Sequence, residues 1–153
     1  MKILPPLFAA LVLVFSGGVF AAEKPLTVVE LYTSQGCSSC PPADAYLAEL
    51  AEKEGLLPLS FHVDYWNYLG WADPFSDAAY SRRQSEYASY FDSRNVYTPQ
   101  MVIQGTHQVV GSNRSEVKRA IKAVMSAPRV AMSLTPGSGG MTLSLPATQM
   151  ASS

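Results

Sequence analysis

Leu26 to Thr33 (LTVVELYT) is a run of β-branched, aromatic and aliphatic residues around one carboxylate, and it predicts a buried strand. The pattern then changes. Ser34-Gln35-Gly36 breaks the run, and Tyr46, Leu47, Leu50 and Ala51 recur at helical spacing, with Gly55 as a stop signal. Pro41 and Pro42 suit a first helical turn, so the regular helix is expected to start between Cys40 and Pro42. Leu59, Phe61 and Val63 alternate and predict a second strand ending near Asp64. Tyr65 to Phe75 (YWNYLGWADPF) has no clean period, carries both tryptophans and reads as an aromatic loop.

Ser76 or Asp77 is placed to cap a second helix carrying Tyr80, Arg83, Tyr87, Tyr90 and Phe91. Met101–Gln104 and Gln108–Gly111 predict a hairpin across Gly105-Thr106. Asn113-Arg114-Ser115-Glu116 is close to a capping box, with Val117, Ile121, Val124 and Met125 forming the apolar face that follows. Val130, Met132 and Leu134 alternate, as do Met141, Leu143 and Leu145 beyond a Pro-Gly-rich turn, which predicts a second hairpin over residues 130–145. A polar tail, Ala147 to Ser153, ends the chain. The predicted organisation is a leader over residues 1–21, a main domain over 22–126, and a hairpin with its tail over 127–153.

The leader reading rests on Lys2, the apolar run from Leu7 to Phe15, and Val19-Phe20-Ala21 as a cleavage site after Ala21. An uncleaved anchor is the competing reading, but Ser16-Gly17-Gly18 ends the run short of the roughly 20 residues that a span needs. The expectation is a periplasmic or secreted protein with no stable membrane anchor after cleavage. Charged residues make up 15% of the chain and hydrophobic ones 48%, which fits a globular domain. A formal net charge of -1 leaves no basic stripe for phosphates, which argues against a nucleic-acid partner.

Candidate chemistry concentrates on Cys37-Ser38-Ser39-Cys40, which holds both cysteines of the chain. The order strand, CxxC, helix, strand, helix, strand, strand, helix is that of a thioredoxin-like α/β fold, β-α-β-α-β-β-α, and CxxC at a strand-to-helix junction in it reads as a redox motif. A helix N-terminus offers unpaired N–H groups and a positive dipole end, and both favour a thiolate. Cys37 is therefore the expected nucleophile and Cys40 the resolving thiol. Thr98-Pro99 precedes the third strand, where thioredoxin-like proteins carry a cis-proline facing the cysteines. A cis bond there would leave Thr98 backbone groups free to pair with an extended substrate. An ordinary turn proline is the plainer alternative.

Glu30 lies within the first strand. Buried, it would have a raised pKa and could accept the proton of Cys40; alternatively it is a structural acid paired with Lys or Arg, or lies on an exposed face. His62, Asp64 and Trp66 gather at the end of the second strand. They form either a wall near the site, with Trp66 as a substrate contact, or a capped strand end under a packed loop. His107 reads as a surface residue.

The segments VVELYTSQGCSSCPPAD, FHVDYWNYLGWADPF and VYTPQMVIQG resemble a bacterial family of exported thioredoxin-like proteins of unassigned function, from about Val28 to about Val124. The resemblance implies a thioredoxin-like fold with the CxxC as active site. It also implies that the chain's last hairpin begins a further β region. Against thioredoxin itself, Glu30 matches the buried acid of the first central strand, and the loop to Cys37 is one residue longer. Ser38-Ser39 replaces Gly-Pro, which leaves a potential anywhere from about −270 to −120 mV.

The leading expectation is thus an extracytoplasmic thiol–disulfide oxidoreductase acting on a protein or small-molecule thiol or disulfide, without a resident cofactor or metal. Two alternatives stand. Cys37, Cys40 and a histidine could hold Cu(I) in a metallochaperone, since soft thiolates select that ion. Or the CxxC is a local staple in a non-catalytic binding module.

Overall fold

The strand at the centre of the molecule is the one with the longest apolar run. β1 (Thr27–Thr33) is buried at every position except Val28, which is half-buried. A computed structural model describes residues 25–130 and 132–145. After β1 come α1 (Pro41–Ala51), β2 (Leu56–His62), a one-turn 3-10 helix (Asn67–Leu69), α2 (Ala78–Tyr90), β3 (Gln100–Ile103), β4 (His107–Val110) and α3 (Arg114–Met125). A hairpin of β5 (Ser133–Gly137) and β6 (Gly140–Ser144) ends the described chain. The leader, residues 1–21, and the polar tail lie outside the described residues.

The four-stranded sheet has the order β2-β1-β3-β4. β1 is parallel to β2 and antiparallel to β3, and β3 is antiparallel to β4. The mixed α/β class and the element order agree with the sequence reading. Bounds differ by one or two residues at β3, β4 and the end of β2, and β5 starts at Ser133 and runs through the Pro136-Gly137 expected to turn. Two further differences have local reasons. β2 starts at Leu56 rather than near Leu59, because Pro58 is tolerated on an edge strand. α1 stops at Ala51, one turn short of Gly55.

Alternation along the strands divides the core. Val29, Leu31, Met101 and Ile103 face α1 and α3, packing on Ala43, Tyr46, Leu47, Leu50, Val117 and Ile121. Tyr32 and Val102 belong to the other face, where Val63, Phe61, Tyr87 and Phe91 pack around them. The caps follow the sequence. Asp77 accepts from Ala79 N at 2.7 Å at the head of α2, and Asn113 accepts from Glu116 N at 3.3 Å at the head of α3. β5 and β6 pair only with each other, and Leu134, Met141, Leu143 and Leu145 are exposed.

Candidate functional site

β1 ends at Thr33, and a short turn carries the chain to α1. The turn is held from below. Asp73, buried in the aromatic loop, accepts from Gln35 N at 2.8 Å and from Phe75 N at 2.9 Å, and its Oδ2 lies 2.7 Å from His62 Nδ1. Burial pushes the Asp73 carboxyl up, but these hydrogen bonds outweigh it and hold the group below its usual range. Gly36 is needed for a close approach, since a Cβ there would stand 3.0 Å from Trp66 Cβ. The aromatic loop is thereby pressed against the turn that carries Cys37.

Cys37 and Cys40 form a disulfide with a Cα separation of 5.4 Å. Cys40 is the N-cap of α1 and is fully buried, whereas Cys37 keeps 3% of its surface exposed. Ser38 and Ser39 between them are exposed. Of the two cysteines, only Cys37 keeps any exposed surface. The Thr98-Pro99 peptide bond is cis, in agreement with the sequence reading. Thr98 Oγ1 donates to Cys37 Sγ at 3.2 Å, and Ser39 Oγ lies 3.4 Å from the Thr98 carbonyl oxygen, to which it donates. Trp66 Nε1 donates to Thr98 Oγ1 at 2.9 Å. Cys37, Cys40, Thr98, Pro99 and Trp66 are thus brought together.

Glu30 makes its hydrogen bonds elsewhere. Arg83 donates to it twice, from Nε at 2.7 Å and from Nη2 at 2.9 Å; Tyr87 Oη donates at 2.8 Å and Tyr32 Oη at 3.1 Å. These partners lie on the α2 side of the sheet, whereas Thr33, three residues on, bonds Asp44 of α1 at 2.7 Å on the opposite side. Burial raises the Glu30 pKa, but the bonds from Arg83, Tyr87 and Tyr32 carry it below the usual value. The expectation of a raised pKa is therefore corrected in direction, and none of these bonds links Glu30 to a cysteine. Of the readings for Glu30, the structural acid paired with Arg is the one observed.

Two supporting residues escaped the sequence reading. Gln84, fully buried on α2, donates to the Tyr97 carbonyl at 2.8 Å and to Gln100 Oε1 at 2.9 Å, and accepts from Tyr65 Oη at 3.2 Å. It thereby fixes the segment that delivers Thr98. Asp73 is the other; its partners are remote in sequence, and the only local hint was an acid followed by Pro74 inside an aromatic run. Asp64 turns to Ser81 instead of the site. Among the described residues no three His, Cys, Asp or Glu side chains gather as metal ligands would. His62 Nδ1 is engaged with Asp73 and His107 Nδ1 with Thr106. No helix among the described residues is long and apolar enough to cross a membrane.

The family model described as protein of unknown function (DUF1223) matches residues 28–152. The chain belongs to that family. No curated protein matches it. Among solved structures, the chain is similar to a crystal structure of a protein from Agrobacterium tumefaciens determined as a structural-genomics target, with 38% identity and a TM-score of 0.68. The likeness covers 83% of this chain and 59% of that one, so this DUF1223 member spans under two thirds of the length of its solved relative.

Proposed function

We propose that this DUF1223 member has a thioredoxin-like fold and works outside the cytoplasm, periplasmic or secreted, as a thiol–disulfide oxidoreductase. The observation that carries the reading is the placement of the Cys37–Cys40 disulfide at the head of α1, with the cis Thr98-Pro99 segment hydrogen-bonded to its outer sulfur. The leader-like start of the sequence supports export, and export supports a dithiol meeting oxidants. The exposed Tyr68, Trp71 and Phe75 on the aromatic loop support a peptide or protein disulfide as the natural substrate.

In the reducing direction the Cys37 thiolate attacks a substrate sulfur. A mixed disulfide forms and one substrate thiolate leaves, taking up a proton. Cys40 then gives its proton to solvent and attacks Cys37 Sγ, which releases the second substrate thiol and restores the Cys37–Cys40 disulfide. Two electrons and two protons pass to the substrate. The reverse sequence oxidises a substrate dithiol.

Trapping tests the proposal. Cys40→Ser, expressed in the native host, should accumulate partners disulfide-linked to Cys37, and the reduced unsubstituted protein should reduce insulin. No trapped partner and no insulin reduction would end the reading.

A further inference from the structure

A helix N-terminus ordinarily stabilises a thiolate through its free amides, and α1 lacks that resource. Pro41 and Pro42 carry no N–H. Cys40 N donates to Cys37 O at 3.2 Å, and the amides of Ala43 and Asp44 donate to Cys40 O at 2.8 and 3.1 Å. The donors near Cys37 Sγ are side-chain hydroxyls instead: Thr98 Oγ1 at 3.2 Å and, more distantly, Ser39 Oγ at 3.5 Å. Ser39 has a single proton, and the Thr98 carbonyl at 3.4 Å competes for it.

Thr98 is different because one of its partners can only donate. That leaves its proton for Cys37 Sγ or for the neighbouring Tyr65 hydroxyl, and Tyr65 already gives its own proton to Gln84. The indole N–H of Trp66 can only donate, so at 2.9 Å it makes Thr98 Oγ1 an acceptor. The single Thr98 hydroxyl hydrogen is then free to lie toward Cys37 Sγ. Gly36 permits the approach of Trp66, and Gln84 holds Tyr97 immediately before Thr98. Cys37 is almost wholly buried, where aligned dipoles act in low dielectric.

We infer that Trp66 and Thr98 form a one-way hydrogen-bond relay that presents a proton to Cys37 Sγ and stabilises the thiolate released when the disulfide opens. Both are positioning residues, Trp66 acting through Thr98. The inference rests on the reading of Cys37 as the attacking thiol. The charged groups near the turn are otherwise engaged: Asp44 with Thr33, and Asp73 with Gln35 and His62. Tyr65, whose hydroxyl donates to Gln84 and neighbours Thr98, is held protonated by burial.

The test is the alkylation rate of Cys37 against pH in a Cys40→Ser background, with circular dichroism as the check on folding. Thr98→Val should slow alkylation about tenfold at pH values below the titration midpoint and raise the midpoint by about one unit. Trp66→Phe should act in the same direction by about threefold, since the hydroxyl proton regains its freedom. Thr98→Ser, which keeps the hydroxyl, should stay within about twofold of the unsubstituted rate. Unmoved midpoints in Thr98→Val and Trp66→Phe would overturn the relay, and so would a Thr98→Ser midpoint as high as that of Thr98→Val. Insulin reduction by the otherwise unsubstituted protein separates this from the function itself. Reduction with unmoved midpoints overturns the relay alone; shifted midpoints with neither reduction nor a trapped partner keep the relay and remove the oxidoreductase.

Discussion

On one side of the sheet Val29, Leu31, Met101 and Ile103 pack against aliphatic side chains of α1 and α3; on the other, a carboxylate sits among aromatic rings. The first face is held by shape and removal of apolar surface from water. The second keeps Glu30 because four hydrogen bonds, two of them from the Arg83 guanidinium, satisfy both of its oxygens. Burial and the bond to Glu30 push the Tyr87 pKa up to about 12, so Tyr87 remains a donor across the working range of pH. The difference teaches where titration can reach stability. The aliphatic side chains of the first face, which also support the CxxC helix, do not titrate, whereas the buried Glu30 of the α2 face responds to acid.

Substitutions can break this contrast. Arg83→Ala should have the largest effect, about 3 kcal/mol in urea unfolding at pH 7. That is the low end for a broken buried pair, because the guanidinium is 46% exposed while Glu30 is only 4% exposed. Leu31→Ala, which empties a fully buried site on the apolar face, should cost a similar amount, about 2–3 kcal/mol. The two should part company in acid. In the unsubstituted protein Glu30 has a depressed pKa, so its contribution is present above its ordinary value of 4.5 and is lost as pH falls through the folded value. In Arg83→Ala the same carboxyl is buried without its partner, its folded pKa rises, and protonation relieves the penalty. The Arg83→Ala deficit should therefore narrow between pH 7 and pH 4, while that of Leu31→Ala stays constant. Parallel deficits would abolish the distinction.

Smaller changes sharpen it. Asp73→Ala should cost about 2 kcal/mol, since Gln35 N, Phe75 N and His62 lose an acceptor together, and hydrogen exchange at Gln35 should report the loosened turn. Tyr87→Phe removes one of the bonds to Glu30 and should cost about 1 kcal/mol. It should also raise the acid-unfolding midpoint slightly.

Much of the plan was legible in the chain because its signals are local. The Asp77 and Asn113 caps, the paired prolines after Cys40 and the position of the hairpins each depend on residues a few places apart. Thr98-Pro99 became legible only through its place in the strand order. Glu30 shows the limit. Its place in a buried strand was readable, and strand alternation alone sets it on the face opposite Thr33. Its partner, though, is Arg83, on a helix 53 positions away that no local rule connects to it. Asp73 was hidden in the same way, because loops are arranged by tertiary contacts and carry no period.

Gln84 touches neither sulfur, yet its amide is shared among Tyr65 beside Trp66, Tyr97 before Thr98, and Gln100 after Pro99. The two loops that frame Cys37 therefore share an anchor in α2, and drift introduced there would reach both loops at once.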